Sequence, residues 1–213
     1  MNYFGEVNVN TTVTHLRRSQ VNTAVGLLSD AFANDPIFRY LIPELEPART
    51  RALQCVINAL LCSSLSYGHV YTTSDPIKGV AAWLPPGQAP VPLLRLLQAG
   101  LYQLPFHLHW SHWSRWISLL KWEDYQRQDM PRPHWYLMLL GVVPDYQRQG
   151  IGGLLLNPIL AEADREGMPC YLETSTESAV CFYQRHGFDV IRTEPLSEQA
   201  PWYWTMKREP GGE

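Results

Sequence analysis

The chain has 213 residues and a formal charge of −3, from 17 Lys and Arg against 20 Asp and Glu. That length suits one catalytic domain, or a smaller one carrying a substantial insertion, and the balanced charge without a basic block excludes the electrostatic footprint of a nucleic-acid or anionic-membrane binder. Small molecules are the expected partners, acting on a monomer or homodimer.

The N-terminal MNYFGEVNVN has neither a basic segment nor an apolar one, so no secretory signal is expected and the compartment expected is the cytoplasm. Thr12 to Arg17 reads as a first strand. Ser19 then stands where it can cap a helix with Val21, Val25, Leu28 and Phe32 at helical spacing, ended by Asp35-Pro36. A second helix is predicted from about Pro47 to Tyr67, stopped by Gly68. Its apolar stretch Leu53 to Leu65 is broken by Gln54, Asn58, Ser63 and Ser64, too short and too polar to cross a bilayer. His69 to Thr73, the turn Ser74-Asp75-Pro76 and Lys78 to Leu84 predict an antiparallel hairpin closed by Pro85-Pro86-Gly87.

About 89–133 the composition changes: Trp110, Trp113, Trp116 and Trp122 occur with His107, His109 and His112. This segment reads as an insertion of two helices. Trp113, Trp116, Ile117 and Leu120 fall at helical spacings, which favours an aromatic face packed on the domain over rings that face a ligand. The histidines have no carboxylate or thiol beside them, and the four cysteines, Cys55, Cys62, Cys170 and Cys181, form no CxxC pair. No metal is expected, and the cysteines read as reduced core residues.

The last third alternates strand and helix: strand His134–Val143, helix Gly150–Glu166, strand Pro169–Thr174, helix Ser178–His186, then strands Phe188–Thr193 and Trp202–Lys207. Gly167 and Gly187 stop the helices, and Glu209 to Glu213 reads as a frayed tail.

Between the first of these strands and the first of these helices lies Pro144-Asp145-Tyr146-Gln147-Arg148-Gln149-Gly150-Ile151-Gly152-Gly153. A glycine-rich turn opening a helix is an anion cradle, because backbone amides approach the anion closely and the positive end of the helix dipole stabilises it. There is no GxxxxGK[ST] and no GxGxxG with an acidic residue about 20 positions on, which leaves Q/R-x-x-G-x-G/A, filled by Gln147, Gly150 and Gly152. An ordinary strand-to-helix turn remains open on this spacing alone.

This loop, with the strand before it, resembles the pyrophosphate loop of the GNAT acetyltransferases. The segment Thr176-Glu177-Ser178-Ala179-Val180-Cys181-Phe182-Tyr183-Gln184-Arg185-His186-Gly187-Phe188 resembles the same family's N-x-x-A-x-x-L-Y-x-x-x-G-F signature, with threonine at the asparagine position. Tyr171 to Ser175, Phe182-Tyr183 and Trp204 to Gly211 look most like puromycin N-acetyltransferase and its relatives. The resemblance implies an α/β (α+β) fold over 1–213: a mixed, mostly antiparallel sheet flanked by helices, with the helical insertion between the third and fourth strands. It implies acetyl-CoA as co-substrate. Backbone groups of Leu140, Gly141 and Val142 would pair with the pantetheine arm and acetyl carbonyl. The amides of Arg148, Gln149, Gly150, Ile151, Gly152 and Gly153 would hold the pyrophosphate, with further cofactor contacts at Thr176 and Tyr183.

Acetyl transfer to an amine needs a neutral nucleophile, a polarised carbonyl and a proton for the departing thiolate. Val142 offers a strand amide to the developing oxyanion, and Tyr183, with an ordinary pKa of about 10, suits the general acid. Glu173 is the candidate base if burial raises its pKa; a carboxylate that only fixes the local backbone is the competing reading, as a core tyrosine is for Tyr183. The expected function is direct transfer to the primary amine of a small molecule. The alternatives are a peptide or protein acceptor and a catalytically silent acetyl-CoA-binding module.

Overall fold

The computed structural model describes residues 11–117, 120–195 and 197–211. The N-terminal ten residues, Gly212-Glu213 and the side chains of Leu120 and Trp122 lie outside the described set, and with them the expectations placed there. In chain order the elements are β1 (Val13–His15), α1 (Val21–Phe32), α2 (Pro36–Leu41), α3 (Ala48–Leu65), β2 (Val70–Thr73), β3 (Gly79–Leu84), α4 (Leu93–Gln98), α5 (Trp113–Ile117), α6 (Leu120–Asp129), β4 (Trp135–Val142), α7 (Ile151–Glu166), β5 (Cys170–Thr174), α8 (Glu177–Gln184), β6 (Asp189–Pro195) and β7 (Trp202–Arg208). Seven strands form one sheet in the order β1-β2-β3-β4-β5-β7-β6, antiparallel throughout except for β4 beside β5.

Every residue of β3 is buried, because this central strand is covered on both faces. Val80 and Ala82 face a layer built on Leu28, Leu53, Ile57 and Leu61 of α1 and α3, whereas Ala81 and Trp83 face Ile151, Leu155 and Ile159 of α7. Each such aliphatic side chain taken from water contributes about 1.5–3 kcal/mol, so the two helical layers clamp the sheet where β3 and β4 lie.

Four local expectations change. Ser19 is not a cap: it sits in a 3-10 turn, Arg18–Gln20, where Gln20 Oε1 accepts from the Arg17 amide at 3.1 Å. Asp35-Pro36 ends nothing, since α1 stops at Phe32; Asp35 caps a further helix, accepting from the amides of Ile37 at 2.9 Å and Phe38 at 3.1 Å. Proline at the first helical position has no amide to satisfy, so the dipeptide starts α2 rather than stopping α1. The insertion is broken into α4, 3-10 turns at Leu101–Phe106 and Trp110–His112, α5 and α6, in place of two helices. The C-terminal stretch is tied down: Glu209 pairs with Arg132 at 2.9 Å and Lys207 at 2.8 Å, and the Gly211 amide donates to Asp164 at 2.7 Å.

Among the described residues no helix is long and apolar enough to cross a membrane. All four cysteines are free thiols, but only Cys170 is buried in the core; Cys55 and Cys62 are half-buried and Cys181 is exposed on α8.

Candidate active site

The site begins with a fault in the sheet. Strand β4 pairs with β3 along its length, yet meets β5 only at Trp135, Tyr136 and Leu137. From there β5 continues beside β7, and β4 runs on alone on that side. A bulge marks the parting point: Leu139 faces Ala82 and Leu137 faces Trp83, leaving Met138 as the extra residue. The extra residue resets which side chains meet which layer, so that Leu137, Leu140 and Val142 all pack toward α7 while Leu139 packs toward α1 and α3.

The free edge of β4 can be read residue by residue. The Val143 amide donates to Lys78 O at 2.9 Å, and hydrogen-bonded pairs alternate along an antiparallel ladder. Gly141 therefore directs its amide and carbonyl to β3, whereas Leu140 and Val142 direct theirs to the side β5 has left. Gln147 Nε2 reaches Val142 O from that side at 3.1 Å. The expectation that all three residues offer backbone groups is corrected at Gly141. Its glycine has a packing cause instead: a Cβ there would lie 2.6 Å from Leu28 Cδ2 and 3.3 Å from Ala31 Cβ.

The loop after β4 turns through a 3-10 segment, Pro144–Tyr146, and then places Arg148 at φ 61° and Gly150 at φ 78°, both left-handed. A non-glycine residue in this region costs about 1–2 kcal/mol, and such conformations persist at sites that need the resulting backbone shape. Among the described residues none of the six amides from Arg148 to Gly153 donates a hydrogen bond; the first helical bond is Leu154 N to Gly150 O at 3.1 Å. Six unpaired donors at the positive end of a 16-residue helix form a set of backbone N–H groups of the kind that binds anions. Gly152 has a second role that the spacing did not reveal, since its missing Cβ would sit 3.0 Å from Phe182 Cζ on α8.

Where β4 and β5 part, a cavity of about 570 Å³ opens between α1–α2, α3, the insertion and α8. It is lined by Leu140, Gln147, Glu173, Thr176 and Tyr183, bringing together expected residues from β4, the loop, β5 and α8. Glu173 accepts from Tyr136 Oη at 2.6 Å. Burial pushes its pKa up to about 8, with the Tyr136 hydrogen bond opposing the shift and Asp129 adding to it. Burial drives the Tyr136 phenol upward as well, and the Glu173 charge adds to that shift.

Tyr183 lies on α8 at 7% exposure, with its ring against Phe182 and Phe188, and its hydroxyl makes no hydrogen bond among the described residues. Its pKa does not stay ordinary: burial, and behind it the charge of Asp35, push it upward. Thr176 is the α8 cap, accepting from the Ala179 amide at 3.3 Å, so its hydroxyl is partly committed to the helix. Asp35 is pushed up by burial although Ser175 Oγ donates to it at 2.5 Å and two α2 amides bond its carboxylate.

The tryptophans divide. Trp116 lines the cavity, packs on the core and donates to Leu41 O at 3.0 Å, whereas Trp110, Trp113 and Ile117 are exposed, so the expected continuous packed face is not present. The histidines do have a carboxylate, brought from outside the insertion: Glu44 Oε1 lies 2.7 Å from His112 Nδ1 and accepts from the His109 amide at 2.9 Å. Among the described residues no group of three or more His, Cys, Asp or Glu is arranged to hold a metal. Asp35, Ser175, Tyr136 and Asp129 are the site residues sequence reasoning missed. Only Asp35 carried a local signal, as an N-cap residue followed by proline and an apolar run.

Residues 117–190 match the family model described as the acetyltransferase (GNAT) domain. An uncharacterized N-acetyltransferase of Schizosaccharomyces pombe is 27% identical over 171 residues, 78% of this chain and 69% of that protein. Two solved structures share the fold: one titled histone acetyltransferase HPA2 and related acetyltransferase from Corynebacterium glutamicum (TM-score 0.68, 23% identity, 95% of this chain and 98% of the other), and the polyamine N-acetyltransferase of Drosophila melanogaster (TM-score 0.59, 15% identity, 94% and 100%). Over residues 117–190 the chain matches the GNAT acetyltransferase domain, and this match together with the fold supports an acetyl-CoA-dependent acetyltransferase.

Proposed function

We propose that this protein transfers the acetyl group of acetyl-CoA to the primary amine of a small molecule, by direct attack within a ternary complex. The observation that carries the reading is the single cavity wall holding both Glu173 and Tyr183 where the free edge of β4 enters. Acetyl-CoA supplies an acyl group activated as a thioester. The amides of Arg148 to Gly153 hold its pyrophosphate, and the outward backbone groups of Leu140 and Val142 orient the pantetheine arm. The Val142 amide stabilises negative charge developing on the acetyl oxygen.

Glu173 takes the proton from the acceptor's ammonium, directly or through water. The freed amine forms the C–N bond as the C–S bond breaks, Tyr183 gives its proton to the departing sulfur, and the second proton shed by the acylated nitrogen restores the Tyr183 phenol through water. Its raised pKa suits that task, because the thiolate forms in the same apolar surroundings and is made more basic by the same desolvation. No cysteine or histidine lines the cavity among the described residues, and the Cys170 thiol is pushed up to about 12 by burial, which supports direct transfer over an acetyl-enzyme.

The insertion supports a small acceptor, since Trp116, Glu123 and Gln126 wall the cavity where an extended peptide would need an open groove. Thiol release from acetyl-CoA, measured with small amines including puromycin and with N-terminal and lysine peptides, tests the reading. Turnover of peptides alone overturns the small-amine assignment. Cofactor binding without any turnover makes the chain a silent binder.

A further inference from the structure

We infer that the acceptor is a singly charged primary amine with an apolar aryl or branched-alkyl body and no anionic group. This rests on the small-amine reading above and narrows it.

The first observation is the sign of the charge. The acidic groups of the cavity wall are Asp35, Glu123 and Glu173; among the described residues it holds no Lys, Arg or His. An acceptor bearing a carboxylate or phosphate would meet acidic groups there and no cation to compensate its desolvation.

The second observation is how few of these carboxylates are open to an ammonium. Asp35 is committed to two amides and the Ser175 hydroxyl. Glu123 is paired with Arg127 at 3.1 Å, its side chain 41% exposed, where water screens it. Glu173 has the Tyr136 phenol as a hydrogen-bond donor and, among the described residues, no basic partner. One ammonium therefore has a place, at Glu173.

The third observation is the part of the wall on the side of α3 and α4. Val56 and Leu60 of α3, Val91, Leu96, Leu101 and Trp116 present hydrocarbon and one indole. A second ammonium, as in a diamine or polyamine, would be buried there unpaired, whereas an aryl or branched-alkyl body is favoured by the area it removes from water.

The experiment compares kcat/KM, by thiol release with saturating acetyl-CoA, for 2-phenylethylamine, isoamylamine, L-phenylalanine, putrescine and spermidine. The two apolar monoamines are expected to exceed the other three by at least about thirtyfold, corresponding to about 2 kcal/mol. L-Phenylalanine differs from 2-phenylethylamine only by its carboxylate, so equal rates for that pair overturn the charge argument. Putrescine or spermidine at or above the monoamines overturns the apolar-wall argument. Leu96→Asp, which puts a carboxylate in the apolar wall from a half-buried α4 position, is expected to raise putrescine relative to isoamylamine about tenfold or more. No change in that ratio in a folded variant counts against the inference. Acetylation of peptides but of none of the five amines, with acetyl-CoA binding intact by calorimetry, overturns the underlying small-amine reading itself.

Discussion

Glu173→Gln separates a base from a structural carboxylate because it keeps the acceptor for Tyr136 and removes the titration. With the carboxyl at about 8, about one molecule in ten carries the active carboxylate near pH 7 and about nine in ten near pH 9. In the wild type kcat/KM should therefore climb about tenfold over that interval and level off above about pH 8. In Glu173→Gln only acceptor already deprotonated in solution can react. The rate near neutrality should fall by about 10²–10⁴, and the rising limb should move to the amine's own pKa, about 10. Stability runs the other way. The native state holds this proton more tightly than the unfolded chain, so raising pH from about 4.5 to about 8 destabilises the wild type, by at most about 5 kcal/mol at 1.36 kcal/mol per unit. The cavity leaves the residue partly exposed, which reduces this to a few kcal/mol. Glu173→Gln should be the more stable protein in thermal unfolding near pH 9, with the difference vanishing below about pH 4.5. A variant that keeps the wild-type pH profile and loses less than about threefold in rate would falsify the base assignment.

Tyr136→Phe removes the donor that favours the Glu173 carboxylate, so the rising limb of the pH–rate profile should shift about one to two units upward, beyond pH 8; an unmoved limb means the two groups are not coupled. Tyr183→Phe should lower single-turnover rates about a hundredfold with little change in acetyl-CoA affinity, and the defect should shrink for acyl donors with more acidic thiols. Wild-type turnover would leave Tyr183 a packing residue. Gly150→Ala forces a side chain into a left-handed conformation at φ 78° and should weaken acetyl-CoA binding about fivefold to thirtyfold by calorimetry, and unchanged affinity in the folded variant removes the pyrophosphate assignment. Gly152→Val is the poorer probe, because collision with Phe182 should lower the melting temperature whatever the loop binds.

Legibility in the sequence followed how local each cause is. The loop, α7, β5 and α8 were readable because glycine positions and the strand-to-helix change act within a few residues of one another. The pairing of Tyr136 with Glu173 spans 37 residues and depends on the three-residue contact of β4 with β5, which no period in either strand announces. Gly141 looked like a cofactor contact from its place before the loop; its reason lies in Leu28, more than a hundred residues earlier. The tryptophan pattern misled because helical spacing does not say how far a packed face extends: Trp113 and Trp116 are neighbours on the short α5, their rings 6.4 Å apart, yet Trp116 packs on the core while Trp113 stands exposed at its margin.

The end of the insertion shows how fold and chemistry share one group. Asp129 closes α6 with its side chain 4% exposed, a placement that a carboxylate tolerates only when its charge is met. Arg192 of β6 meets it at 2.9 Å, Thr205 of β7 at 2.7 Å and Tyr171 of β5 at 3.3 Å, so one side chain fastens the insertion to three strands. That anchor fixes α6, and with it Glu123 and Gln126 in the cavity wall. The same charge helps raise Glu173 into the range where a carboxylate can take a proton from an ammonium and later release it to water. A neutral anchor of equal shape would hold the wall but leave Glu173 more acidic and a weaker base, which gives a physical reason for keeping a buried charge where an amide would pack as well.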